Sequence, residues 1–161
     1  MTTTHTNPAP TTVLTHPAEQ QRQDVTDSWS PPDRHEWQPA GVAWDPVKAP
    51  AYLGDRALAR LGDTSGAIVR DYYRHRLYWF VPPGTAASWR PVPSVKTYGR
   101  GAWIEIPPAG LRKGLGPHWV REPAPVTGPG LAPLLTDPGV LHEALTAAHV
   151  AVNGPPIEAR R

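Results

Sequence analysis

The sequence predicts an α+β fold: a small, mostly antiparallel sheet of three to five strands flanked by two helices, with a disordered N-terminal tail. Two apolar runs carry the sheet, "RLYWFVPPG" (residues 76–84) and its fainter copy "AWIEIPPAG" (102–110). Each is short enough for a strand and each stops at Pro-Pro and glycine, because proline cannot donate to a ladder. The third observation is "TDPGVLHEALTAAHVA" (136–151), a capped pattern of helical period.

Residues 1–40 are Thr, Pro, Gln and Asp with few aliphatics, a composition that predicts disorder. Trp29 and Trp37 are costly to leave in water, so the end of this tail is expected to dock on the body or on a partner. The body spans residues 41–122. "WDPVKAP" reads as an extended lead-in, and Pro50 opens a helix whose Tyr52, Leu53, Ala57, Leu58 and Leu61 share a face before Gly62 stops it. Residues 65–71 and 75–81 form a hairpin around "YYR". A long connection carries a short extended piece at 95–98. In residues 102–106, Trp103 and Glu105 point one way and Ala102, Ile104 and Ile106 the other; residues 116–122 make a last strand. Trp44, Trp79, Trp89, Trp103 and Trp119 are expected to supply much of the core. Residues 123–135 read as a Pro/Gly linker and 136–151 as the final helix. There Asp137 is the N-cap, Pro138 the first helical residue, and Val140, Leu141, Ala144, Leu145 and Ala148 the apolar stripe. Residues 152–161 read as a frayed tail.

The chain has 161 residues, 22 prolines, 14 glycines and no cysteine, which excludes disulfides, thiolate metal sites and a cysteine nucleophile. The N-terminus has neither the basic nor the apolar segment of a secretory signal. No run approaches the about 18 apolar residues of a membrane helix, so the expectation is a cytoplasmic protein with no membrane role. The net charge of +2 is uneven: −3 over residues 1–40, +6 over 41–122 and −1 over 123–161. A basic body suits an anionic partner.

No histidines stand at metal-ligand spacing; His142 and His149 are two helical turns apart, about 10 Å. No D-x-D or E-x-E pair, Walker loop or G-x-S-x-G elbow occurs. An enzymatic reading would rest on Glu105 and His118. No metal or cofactor is called for. The stronger pattern is cationic and aromatic: Arg74, Arg76, Arg90, Lys96, Arg100, Arg112 and Lys113 interleave with Tyr78 and Trp89. Cations that follow phosphates beside rings that stack on bases are what contact with single-stranded nucleic acid requires, and duplex remains open as a partner. The alternative is a protein-docking module that uses the segment with Trp29, Trp37 and Trp44 together with the final helix.

"HRLYWFVPPG", "SVKTYGRGAWIEIPP" and "GPHWV" together resemble the C-terminal half of the bifunctional primase–polymerase domain of the archaeo-eukaryotic primase superfamily, in its proline- and tryptophan-rich actinobacterial form. The resemblance covers residues 45–122. In that family a "G-x-H-L-Y" strand carries a catalytic histidine, and a later segment ending in Pro-Pro carries a metal-binding aspartate. Here Arg76 precedes Leu77-Tyr78, His75 is one residue early and so on the opposite strand face, and Lys96 or Thr97 stands at the aspartate position. A lysine there would repel divalent ions. The resemblance therefore implies a degenerate, non-enzymatic relative, an accessory or regulatory protein that acts by binding rather than an active nucleotidyltransferase.

Overall fold

The computed structural model describes residues 16–124 and 130–155. Among the described residues, three α-helices and eight strands form three layers. A six-stranded sheet, in the order β5-β2-β4-β3-β7-β8, contains β2 (Asp45–Pro50), β3 (Ile68–Asp71), β4 (Arg76–Val81), β5 (Lys96–Thr97), β7 (Pro117–Pro123) and β8 (Leu131–Ala132). One face carries α2 (Ala51–Leu61) and α3 (Pro138–Asn153). The other is half covered by a two-stranded sheet, β1 (Glu36–Pro39) with β6 (Trp103–Ile106), and by the end of α1 (Pro17–Ser28). All pairings are antiparallel except β7 with β8. The α+β class holds, with more strands and one more helix than the sequence suggested.

Strand alternation divides the interior. Leu77, Trp79 and Val81 of β4 enter a core with Val47, Leu53, Ala57, Leu61, Leu141 and Leu145. Phe80 faces the opposite way, into a second core with Trp44, Val69, Ile104, Ile106 and Trp119, against which Tyr78 packs. The predicted hairpin closes through residues 72–75, where Asp71 accepts from the Arg74 backbone N–H at 3.2 Å. Both predicted helix signals are realised: Asp137 accepts from Val140 N at 2.9 Å, and Gly62 ends α2 at φ 52°. Tyr52, however, is exposed, since it stands about 100° around the helix from Leu53.

The segment expected to be only a lead-in is β2, which pairs with β4 along its full length. Its prolines disguise it. Tyr98 N donates to the Pro46 carbonyl at 3.1 Å, so Pro46 turns its donor-less side toward the two-residue edge strand β5 and leaves the β4 ladder intact. The expected disorder of residues 1–40 is corrected over residues 16–40; residues 1–15 lie outside the described residues. Helix α1 begins at Pro17 and carries Gln20–Asp24 and Gln23–Asp27 side-chain hydrogen bonds at 2.9 and 2.8 Å, i,i+4 pairs that composition alone conceals. Its end is anchored by Thr26 Oγ1 donating to the Ala43 carbonyl, 2.8 Å, and by Trp29, whose ring meets Trp44 and Trp119 edge-on.

The expected linker 123–135 is also partly structured, residues 125–129 lying outside the described region. Residues 131–132 form β8, and Thr136 accepts from Gly66 N while its own N–H donates to the Phe80 carbonyl. Gly66 is needed there: a Cβ would stand 2.6 Å from the Leu135 carbonyl oxygen. Of the expected core tryptophans, Trp44, Trp79 and Trp119 are buried and Trp89 half-buried. Trp103 is exposed, because it points away from Ile104 and Ile106.

Candidate functional site

On the face of the main sheet left open by β1 and β6, the register places Lys48 of β2 opposite Tyr78 of β4 and Lys96 of β5 opposite Lys48. Arg76 lies two residues before Tyr78, so it shares this face. Three recesses that share lining residues lie here and are together called the groove. The central one, about 410 Å³, is lined by Arg74, Arg76, Tyr78, Tyr98, Trp37 and Trp103, among others. Arg74 and Arg76 also line a shallow recess of about 350 Å³ with Lys48 and Lys96. Tyr98 also lines a third, of about 500 Å³, with Arg22, Asp45 and Arg100.

The two-stranded sheet forms an aromatic wall. Trp37 pairs with Glu105 and Pro39 with Trp103, so Trp37 and Trp103 share one face as diagonal neighbours. They are 60% and 57% exposed, which makes them available to a planar ligand. Lys48 Nζ lies 5.5 Å from the Tyr98 ring centroid. Burial pushes the Tyr78 phenol above the usual tyrosine range, against the opposing pull of Arg76, so Tyr78 stays neutral and does not repel an anion.

The charges are unequally engaged. Asp71 holds Arg74 at 3.0 Å, and this hydrogen bond and charge raise the Arg74 pKa. Glu105 is paired with His35 at 3.3 Å. Among the described residues Lys48, Arg76, Lys96 and Arg100 make no ion pair, and the buried Arg76 Nε has no hydrogen-bond acceptor. Four unpaired cations beside exposed rings can take phosphates and bases together.

The structure thus brings together Arg74, Arg76, Tyr78, Lys96 and Arg100 and excludes four other candidates. Trp89 and Arg90 lie against α3, with the Trp89 ring 5.1 Å from that of His142 and the Arg90 carbonyl accepting from His142 Nε2 at 2.9 Å. Arg112 is paired with Glu122 at 3.0 Å, and Lys113 follows it on the same exposed loop. Of the proposed docking tryptophans, Trp44 is 1% exposed, Trp29 packs inward and Trp37 belongs to the groove. Glu105 and His118 do not meet. His118 is opposite Arg70, which is opposite Leu77, placing it on the helix-covered face. Sequence reasoning missed Lys48 and Trp103 as groove residues. Both are visible only once β2 is known to pair with β4 and β6 with β1. Among the described residues no three His, Asp or Glu side chains cluster to hold a metal ion, and no helix there is long and apolar enough to cross a membrane. No protein-family model, curated protein or solved structure matches this chain.

Proposed function

We propose that this protein binds single-stranded nucleic acid in the groove as a non-enzymatic accessory or regulatory module. The observation that carries this reading is the convergence of unpaired Lys48, Arg76, Lys96 and Arg100 beside Trp37, Trp103, Tyr78 and Tyr98. The cations follow the backbone of the strand, and the exposed indoles offer faces on which unpaired bases stack, which a closed duplex cannot supply. The resemblance to the primase–polymerase domain is consistent with such a partner. On that reading, Arg76 contributes phosphate affinity at the position where a catalytic relative carries its histidine.

Fluorescence anisotropy with a labelled single strand of about 12 nucleotides tests the proposal. Affinity should fall with salt with a logarithmic slope of about −3, from four phosphate contacts at about 0.7 each. Lys48→Ala should reduce that slope by about one contact's share. Absence of binding at about 50 mM salt overturns the reading. A protein-docking role finds less support, since Trp44 is buried and Trp29 is half-buried against it and Trp119.

A further inference from the structure

The two Pro-Pro motifs share a local device. After Pro82-Pro83, Gly84 adopts φ 82° and donates its N–H to Asp45 Oδ2 at 2.6 Å. After Pro107-Pro108, Gly110 adopts φ 81° and donates its N–H to Glu122. Both carboxylates are buried, at 5% and 9% exposure. They differ in what completes them. Glu122 gives its second oxygen to Arg112 at 3.0 Å, whereas Asp45 Oδ1 is buried with no hydrogen-bond donor. A buried carboxylate oxygen left without a donor is costly, by about 1–3 kcal/mol or more.

Asp45 contributes to the third recess of the groove, with Gly41, Gly84, Gly99, Tyr98, Arg22 and Arg100. Gly99 adjoins the carboxylate, a Cβ there standing 3.9 Å from Asp45 Oδ2. Neither Arg22 nor Arg100 makes an ion pair among the described residues. The recess therefore has the Asp45 carboxylate among its lining residues, with Oδ2 held by Gly84 and Oδ1 buried without a donor, and two cations without ion pairs around it. A volume of about 500 Å³ lies within the range of small-ligand sites.

We infer that this recess is a base-reading pocket for guanine, with Asp45 as its specificity-determining residue; the inference rests on the single-strand reading of the groove. An ionised carboxylate only accepts hydrogen bonds. Guanine alone among the common bases presents two adjacent donors, N1–H and the 2-amino group, on its Watson–Crick edge. Thymine sets its one N–H between two carbonyls that repel a carboxylate, and cytosine and adenine each place a ring acceptor beside their amine. Binding requires a turn of the carboxylate that brings Oδ1 to the recess and shifts Oδ2 at the Gly84 N–H with it, with Tyr98 beside the base and Arg22 and Arg100 beside its phosphate. No bond is made or broken.

The test compares an all-thymine strand of about 12 nucleotides with one carrying two central guanines, and with the same strand carrying inosine, which lacks the 2-amino donor. Guanine should bind about tenfold tighter than thymine, and inosine should lose a large part of that gain. In Asp45→Asn, which keeps the side-chain shape but turns a donor toward the base, the guanine-to-thymine ratio should fall to about one. Equal affinity for all three strands on the unmodified protein overturns the inference while leaving the groove reading intact, and needs no variant to fold. A guanine preference that survives in folded Asp45→Asn overturns the role of Asp45. Failure of every strand to bind removes the groove reading and this inference with it.

Discussion

Arg76 has its Nε buried without an acceptor while Tyr78, two residues on, is held neutral by burial. A cation in that position is a burden on the fold and makes sense as a ligand contact. Arg76→Met keeps the length and apolar stem but removes the unpaired charge. The variant should therefore match or exceed the parent in stability, by about 0.5–1 kcal/mol in urea denaturation, while its affinity for a single strand falls several-fold. Loss of stability would show that the guanidinium supports the fold instead. The sequence marked Arg76 as informative through its neighbours Leu77 and Tyr78. It could not reveal that the guanidinium would find no carboxylate, because Asp71, directly opposite it in the β3–β4 register, bonds Arg74.

Elements that depend on near neighbours were readable, α1 with its i,i+4 pairs excepted, and those that depend on distant pairing were not. Helix α3 was specified by local chemistry, an N-cap, a proline in the first turn and an apolar stripe at helical period, although Val140 of the expected stripe is exposed and only Leu141, Ala144, Leu145 and Ala148 are buried. Asp137→Ala should lower stability by about 1 kcal/mol, seen as a drop of a few degrees in the thermal midpoint. An unchanged melt would mean that α3 is held by packing alone. Strand β2 shows the opposite case. Its prolines speak against a strand in any local reading, and only the positions of β4 and β5 on either side reveal that Pro46 faces the poorly paired edge. Both Pro-Pro motifs were correctly read as strand ends, yet their glycines have a second effect, donating to Asp45 and Glu122, that requires contacts across the fold.

For the whole molecule, the described part of the segment before residue 41, residues 16–40, is structural. Trp29 packs on the second core against Trp44 and Trp119, its Nε1 donates to Gln38 Oε1 at 2.9 Å, and among the described residues β1 is the only partner strand of β6. Deleting residues 1–40 should abolish cooperative unfolding and most of the near-ultraviolet circular dichroism of the tryptophans, because it strips β6 and uncovers Phe80 and Trp119. An unchanged cooperative melt would restore the view of this segment as an independent tail. The same deletion removes Trp37 from the groove wall, so fold and site depend on it together.

By itself the sequence determined the α+β class, the hairpin, two helices with their caps, and a basic, aromatic body, since each follows from local periodicity, turn chemistry and composition. The tertiary structure alone decided which cations converge. Strand register turned Lys48, Arg76, Lys96 and Tyr78 to one face and His118 to the other, and left Arg112 paired with Glu122. A one-residue shift in register reverses every side chain of a strand, and no local pattern in a proline-rich chain fixes register. It also decided that one of two similar buried carboxylates is satisfied and the other is not, a difference set by where a single arginine comes to rest.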